Sequence, residues 1–257
     1  MLSALIQRSP IYPSARRAYR ALFKAQERLA EERMGAFYGH FFQPGEVVFD
    51  VGANQGEYSE CFAREGARVV AIEPNPAFRG RLAAIARHLT ILPEHVAVGD
   101  HPGVASLNIC STSGFSTFAS TKSDWMLASP DYADVEWTGE VEVPIVTLDQ
   151  LVERHGQPTF VKIDVEGFEL NVLKGMSFDP RYLSFEYGVR RKDLGLACIE
   201  LLADRGYRFR PIAGREWRFD AGDWMPGTAA AAWLEQRSLE RGEYGDFFAY
   251  KSSLEGE

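Results

Sequence analysis

From Gly45 onward, short apolar runs alternate with amphipathic stretches. The runs Val47–Val51, Val69–Ile72, Thr90–Leu92, Phe160–Val165 and Leu183–Phe185 are rich in Val, Ile and Phe, which predicts strands buried on both faces. Helical spacing lies between them. Asn75-Pro76 offers an N-cap and a first-turn proline ahead of Phe78, Leu82, Ile85 and Leu89. Thr147 and Gln150 form a capping box, and Leu194, Ala197, Cys198, Leu201 and Leu202 make an apolar stripe that ends before Gly206. Strand–helix alternation of this kind predicts an α/β fold, Rossmann-like and doubly wound, around a mostly parallel sheet.

Three stretches depart from that pattern. In residues 1–40, Ala18, Leu22, Ala25 and Leu29 recur at helical spacing among an excess of Arg and Lys, which predicts an N-terminal helical extension to a domain spanning 41–257. A basic amphipathic helix suits packing on the domain, a partner helix, or peripheral contact with an anionic membrane. Residues 103–146 hold two β-like runs, Ala105–Ile109 and Val141–Val146, around a Ser/Thr-rich loop containing Ser113, Phe115 and Ser116. The tail holds Tyr207–Ile212 and Phe247–Tyr250, expected as an antiparallel pair closing the sheet, with an Ala-rich helix around Ala229–Arg241 between them.

Composition narrows the functional classes. A net charge of −8 disfavours a broad phosphate-binding surface and hence a nucleic-acid substrate. The cysteines Cys61, Cys110 and Cys198 are isolated, as in a reducing compartment. No apolar run is long enough to span a bilayer, and Arg8, Pro10 and Pro13 interrupt the apolar start before a signal core is complete. A cytoplasmic protein is expected.

The sharpest chemistry lies in VVFDVGANQGEYS, Val47 to Ser59. A buried strand ends at Asp50 and Val51, and Gly52-Ala-Asn-Gln-Gly56 turns into a helix. The spacing is not the GxGxxG of a dinucleotide fold, and an acid precedes the first glycine. A pyrophosphate wants bare N–H groups; the methionine moiety of S-adenosylmethionine carries an ammonium and a sulfonium, which a carboxylate suits. Glu73, ending the second strand in VVAIEPNP, is placed to accept both ribose hydroxyls of an adenosine. Gly52, Asn54, Gln55, Gly56 and Tyr58 of the turn are expected to frame the cofactor, with Pro74 and Asn75 beside Glu73. A nicotinamide-dependent oxidoreductase fits less well, because the glycine spacing differs and no YxxxK relay stands in a matching place.

The second block is FVKIDVEGFE. Asp164 falls at the C-terminal end of its strand, where open α/β sheets bind ligands, and IDVE replaces the Asn/Asp-Pro-Pro-aromatic tetrad usual for amine methylation. Transfer to a hydroxyl oxygen needs alignment and a group that takes the proton as the bond forms. Asp164 and Glu166 are the first candidates, with Lys162 on the same strand and Glu186 at the end of the next, LSFEY. A carboxylate is a weak base for an alcohol. A divalent cation such as Mg held between Asp164 and Glu186 is the less favoured alternative, since hard cations need further oxygen ligands. The aromatics Trp217, Phe219, Trp224 and Trp233 suit a core better than a sugar-stacking platform.

These blocks in order, FDVGANQGEYS, AIEPNP, HVAVGD at His95–Asp100, VPIVTLDQL at Val143–Leu151 and VKIDVEGFELNVLKG at Val161–Gly175, resemble the FkbM family of methyltransferases over about residues 45–190. The resemblance implies S-adenosylmethionine as donor and transfer mainly to hydroxyl oxygen on sugars, glycans or other small natural products. It also implies adenine-side contacts from His95 and Val96, although His95 stands where the family pattern has asparagine. A non-catalytic adenosyl-binding scaffold is the competing expectation.

Overall fold

The computed structural model describes residues 26, 28–110, 116–117, 137–219, 222–237 and 244–252. Ala18, Leu22, Ala25, Ser113 and Phe115 lie outside that set, and Ser116 enters only as backbone. A seven-stranded sheet forms the centre. Its strands are β1 (Val47–Val51), β2 (Arg68–Ile72), β3 (Ile91–Glu94), β8 (Phe160–Ile163), β9 (Tyr182–Gly188), β10 (Arg208–Ala213) and β11 (Tyr244–Tyr250), in the order β10-β11-β9-β8-β1-β2-β3. The first five in chain order pair in parallel, while β11 runs antiparallel between β9 and β10. The expected antiparallel closure by the tail is therefore present. Strand order reverses between β1 and β8, the place where α/β sheets open a crevice beyond their strand ends.

Helices cover both faces. On one lie α1 (28–38), α2 (Glu57–Arg64) and α3 (Arg79–Ala86); on the other lie α4 (Leu148–His155), α5 (Glu169–Lys174), α6 (Lys192–Asp204) and α7 (Gly227–Glu235). Strand alternation divides the core accordingly. Phe49, Val161, Phe185 and Phe247 face the second set, and Val48, Phe160 and Phe248 face the first. The predicted caps form: Thr147 and Gln150 satisfy each other's backbone, Asn75 caps the short turn before α3, and Gly206 takes φ +86 after α6. The Ala-rich helix is shorter than its composition suggested. A second sheet, β4 (Ala97–Val98), β5 (Gly103–Cys110), β6 (Ser116–Thr117) and β7 (Trp137–Val146), is built mainly on the β5–β7 ribbon. None of the described helices is long and apolar enough to cross a membrane.

Of the stripe expected on the N-terminal helix, only Leu29 falls among the described residues. Leu29 is 48% exposed, whereas Met34, Phe37 and Tyr38, with Phe41 and Phe42 after the helix, are buried. Phe41 stacks against Phe160 and Phe248, and Phe37 meets Phe248 edge-on at 5.2 Å. Large aromatics bury more area than Leu29 and set the helix's rotation. Phe37→Ala is expected to cost about 3 kcal/mol in urea unfolding. A cost under about 1 kcal/mol would show that this helix merely rests on the domain.

Candidate active site

The sheet face under α1 and α2 is apolar at its lower end and charged at its upper end. Going up from Phe160 the next side chains on that face are Lys162 and then Asp164; from Val48, Asp50; from Ser184, Glu186; and above Phe248, Asp246. These strand ends open into a cleft of about 1330 Å³. Its walls include Gly52, Asn54, Gln55, Tyr58, Glu73, Pro74, Val96, Asp164, Glu166 and Glu186 from the sequence-predicted set. Asp50, Gly56, Asn75, His95 and Lys162 are not lining residues.

At one end, β1 breaks into the glycine turn. Gly52 and Ala53 both donate their N–H to the carbonyl of Ile72, at 2.9 and 3.0 Å, which ties the turn to β2. Gly52 has φ +87, and a Cβ there would overlap the carbonyl oxygen of Asp164, so the β1 turn and the end of β8 touch backbone to backbone. Glu73 is held by its own neighbourhood: Asn54 N–H donates to one carboxylate oxygen and Asn75 N–H to the other, each at 2.8 Å. Burial pushes this carboxyl up to about 7, against those two hydrogen bonds. Asn75 thus acts through Glu73, and Gly56 is kept bare by Ile85 and Leu82. Nδ1 of His95 is buried with no hydrogen-bond partner among the described residues.

Asp50 lies deeper, only 1% exposed. Its Oδ2 accepts from Ser59 Oγ at 2.5 Å, while Oδ1 has no partner among the described residues. Beside it in register stands Lys162, also 1% exposed, whose Nζ donates to Asp164 Oδ2 at 2.8 Å and sits 4.2 Å above the Tyr58 ring. Burial works against the ammonium, yet Asp164, Asp246, Tyr58 and Asp50 outweigh it and hold its pKa above the ordinary lysine value. β8 stops at Ile163, two residues short of its predicted end, so Asp164 is the first residue of the loop rather than part of the strand.

At the other end, Asp164, Glu166 and Glu186 converge, with oxygens all within 4.8 Å of one another. Burial, then the charge of Asp164, pushes Glu166 up to about 8 and Glu186 well above the usual carboxylate range. Arg191 reaches Glu186 at 3.3 Å and Glu169 at 3.9 Å. Glu169 starts α5 and accepts from the N–H groups of Val165 and Gly167, fixing the loop that carries Glu166 at φ +53. Sequence reasoning missed Ser59, Arg191 and Asp246. Of these Asp246 left a signal, an acid immediately before the apolar run FFAY within β11. Trp217 lines the cleft, while Phe219 and Trp224 pack on the core. Lys162→Met would strand Asp50 and Asp164 without their buried partner and is expected to lose about 3 kcal/mol of stability in urea unfolding; an unchanged midpoint would remove Lys162 from this role.

Comparison with known proteins bears on the same residues. The model of the Methyltransferase FkbM domain matches residues 50–209, well over half of the chain. The 31-O-demethyl-FK506 methyltransferase FkbM of Streptomyces tacrolimicus is 32% identical over 210 residues, covering 70% of this chain and 78% of that protein. The hexuronic acid methyltransferase AglP of Haloferax volcanii is 32% identical over 136 residues, 51% of this chain; the match spans 50% of that relative's length. Among solved structures, a precorrin-6y C5,15-methyltransferase from Geobacter metallireducens superposes with a TM-score of 0.44 at 13% identity, over 86% of this chain and 87% of that one. That likeness adds nothing to the topology described above. By the extent of the family match and by the relative that covers most of it, the chain belongs to the FkbM family of S-adenosylmethionine-dependent methyltransferases.

Proposed function

We propose that the protein moves a methyl group from S-adenosylmethionine to a hydroxyl oxygen of a sugar, a glycan or a glycosylated small natural product. One observation carries this reading: a single cleft joins a glycine turn with an oriented Glu73 at one end to a convergence of carboxylates at the other. The activities of the two relatives, on a hexuronic acid and on the 31-O position of a demethylated FK506, support an oxygen acceptor.

The residues fit the donor. Glu73 has its carboxylate aimed by two backbone N–H groups and keeps lone pairs for two ribose hydroxyls. Gly52 lets the turn close on the Asp164 carbonyl, where no side chain fits, and Oδ1 of Asp50, without a partner among the described residues, is a buried acceptor below the turn. Pro74 and Val96 line the same end for the base. When bound, S-adenosylmethionine supplies a methyl group already activated by its sulfonium. What remains for this chain is to place the acceptor oxygen in line and to take its proton. Asp164 is held by Lys162 through one carboxylate oxygen. Glu166 and Glu186 stand beside it, at the raised pKa values that improve a carboxylate as a base toward an alcohol.

Two outcomes follow. Ribose hydroxyls donate to the ionised form of Glu73, so affinity for S-adenosylhomocysteine is full above about pH 7 and falls as the carboxyl takes up its proton. Calorimetric titration is expected to show binding about tenfold weaker at pH 6 than at pH 8, with the difference absent in Glu73→Gln; a flat wild-type profile would contradict this role. Asp164→Asn should bind S-adenosylhomocysteine within a few-fold of wild type. Methyl transfer to a glycan acceptor panel should fall by about a hundredfold or more. Adenosyl binding without turnover of any acceptor by the wild type would point to the scaffold instead.

A further inference from the structure

Asp164 enters the cleft from the end of β8, Glu186 from β9 and Glu166 from the loop before α5, three backbone positions that direct charge at one point. Acidic groups this close repel each other unless a proton or a cation sits among them. Lys162 occupies Oδ2 of Asp164 and Arg191 faces Oε2 of Glu186, which leaves each carboxylate its second oxygen. A separate group sets this cluster apart from an ordinary acidic surface. Asp246, on β11, stands opposite Glu186 in the ladder, lines the same cleft and is 8% exposed. Among the described residues it makes no hydrogen bond and no ion pair. Lys162 and Arg215 act on it through space, but neither comes within ion-pair distance, so the hydrogen-bond donors to this carboxylate come from what fills the cleft.

We infer that Asp164, Glu166 and Glu186 bind a divalent cation of the magnesium or manganese class, and that Asp246 accepts from water on that ion. All the ligands are oxygens, with no sulfur or imidazole among them, which selects hard cations; magnesium in particular keeps several waters when protein ligands are few. Asp246 also lies beyond residues 50–209, the stretch matched by the family model, so it is a feature of this chain's tail. The ion's use rests on the transfer reading, since a hydroxyl bound to a cation loses its proton more readily and a carboxylate then suffices as base. Its binding does not rest on that reading.

The full-length protein, saturated with S-adenosylhomocysteine, is titrated with manganese(II), and free ion is followed by electron paramagnetic resonance. A single saturable site is expected, displaced by magnesium, with Asp246→Asn and Glu186→Gln each weakening it by about tenfold or more while S-adenosylhomocysteine affinity holds. Should Asp246→Asn not fold, Glu166→Gln on the loop before α5 takes its place. No saturable manganese binding, or binding indifferent to these substitutions, overturns the cation site; with S-adenosylhomocysteine still bound, the proposed function stands without it.

Discussion

Everything at the top of this sheet depends on one buried cation. Lys162 sits at the strand-order reversal, with Asp50 of β1 beside it in register and Asp164 two residues ahead on its own chain. Asp50 does not tolerate its depth alone: burial raises its pKa, and Lys162 draws it back before any other group. The ammonium therefore ties the turn expected to frame the donor to the residue expected to face the acceptor. Gly52 makes the same junction in backbone, packed on the Asp164 carbonyl where no side chain fits. A shift of β8 against β1 would disturb both ends of the cleft together.

Charge elsewhere in the cleft is arranged less evenly. Glu73 at one end is surrounded by N–H donors, whereas Asp164, Glu166 and Glu186 at the other crowd one another. The first arrangement suits a neutral diol, which needs acceptors that are already oriented. The second is unstable until a proton, a donor-rich ligand or a cation enters it. Fold and chemistry thus meet at a site whose two ends ask for different partners, and transfer between two bound molecules requires that asymmetry.

Much of this was legible in the sequence where local physics decides. Buried strands announced themselves as Val/Ile/Phe runs, and Thr147, Asn75 and Gly206 marked helix ends because caps act over three or four residues. Glu73 and Asp164, expected at strand ends, both line the cleft, because strand-end acids recur at fixed places in a parallel sheet. Residues brought in from a distance were not found. Asp246 faces Glu186 through an antiparallel register that no spacing encodes, and Arg191 and Ser59 act only once the chain has folded around them. The same limit holds for the described turns of the N-terminal helix: the aromatic core they meet buries the Phe37–Tyr38 side and leaves Leu29 exposed. His95 shows the reverse case, a residue singled out by its motif that does not line the cleft and whose Nδ1 is buried without a partner among the described residues.

The most direct test of the central claim is a crystal structure of the protein with S-adenosylhomocysteine. The account predicts both ribose hydroxyls on the Glu73 carboxylate, the glycine turn against the amino-acid portion, and the sulfur directed toward Asp164 with open cleft beyond it to Glu186. An adenosyl group seated away from Glu73, or a sulfur turned from the carboxylate cluster, would contradict it.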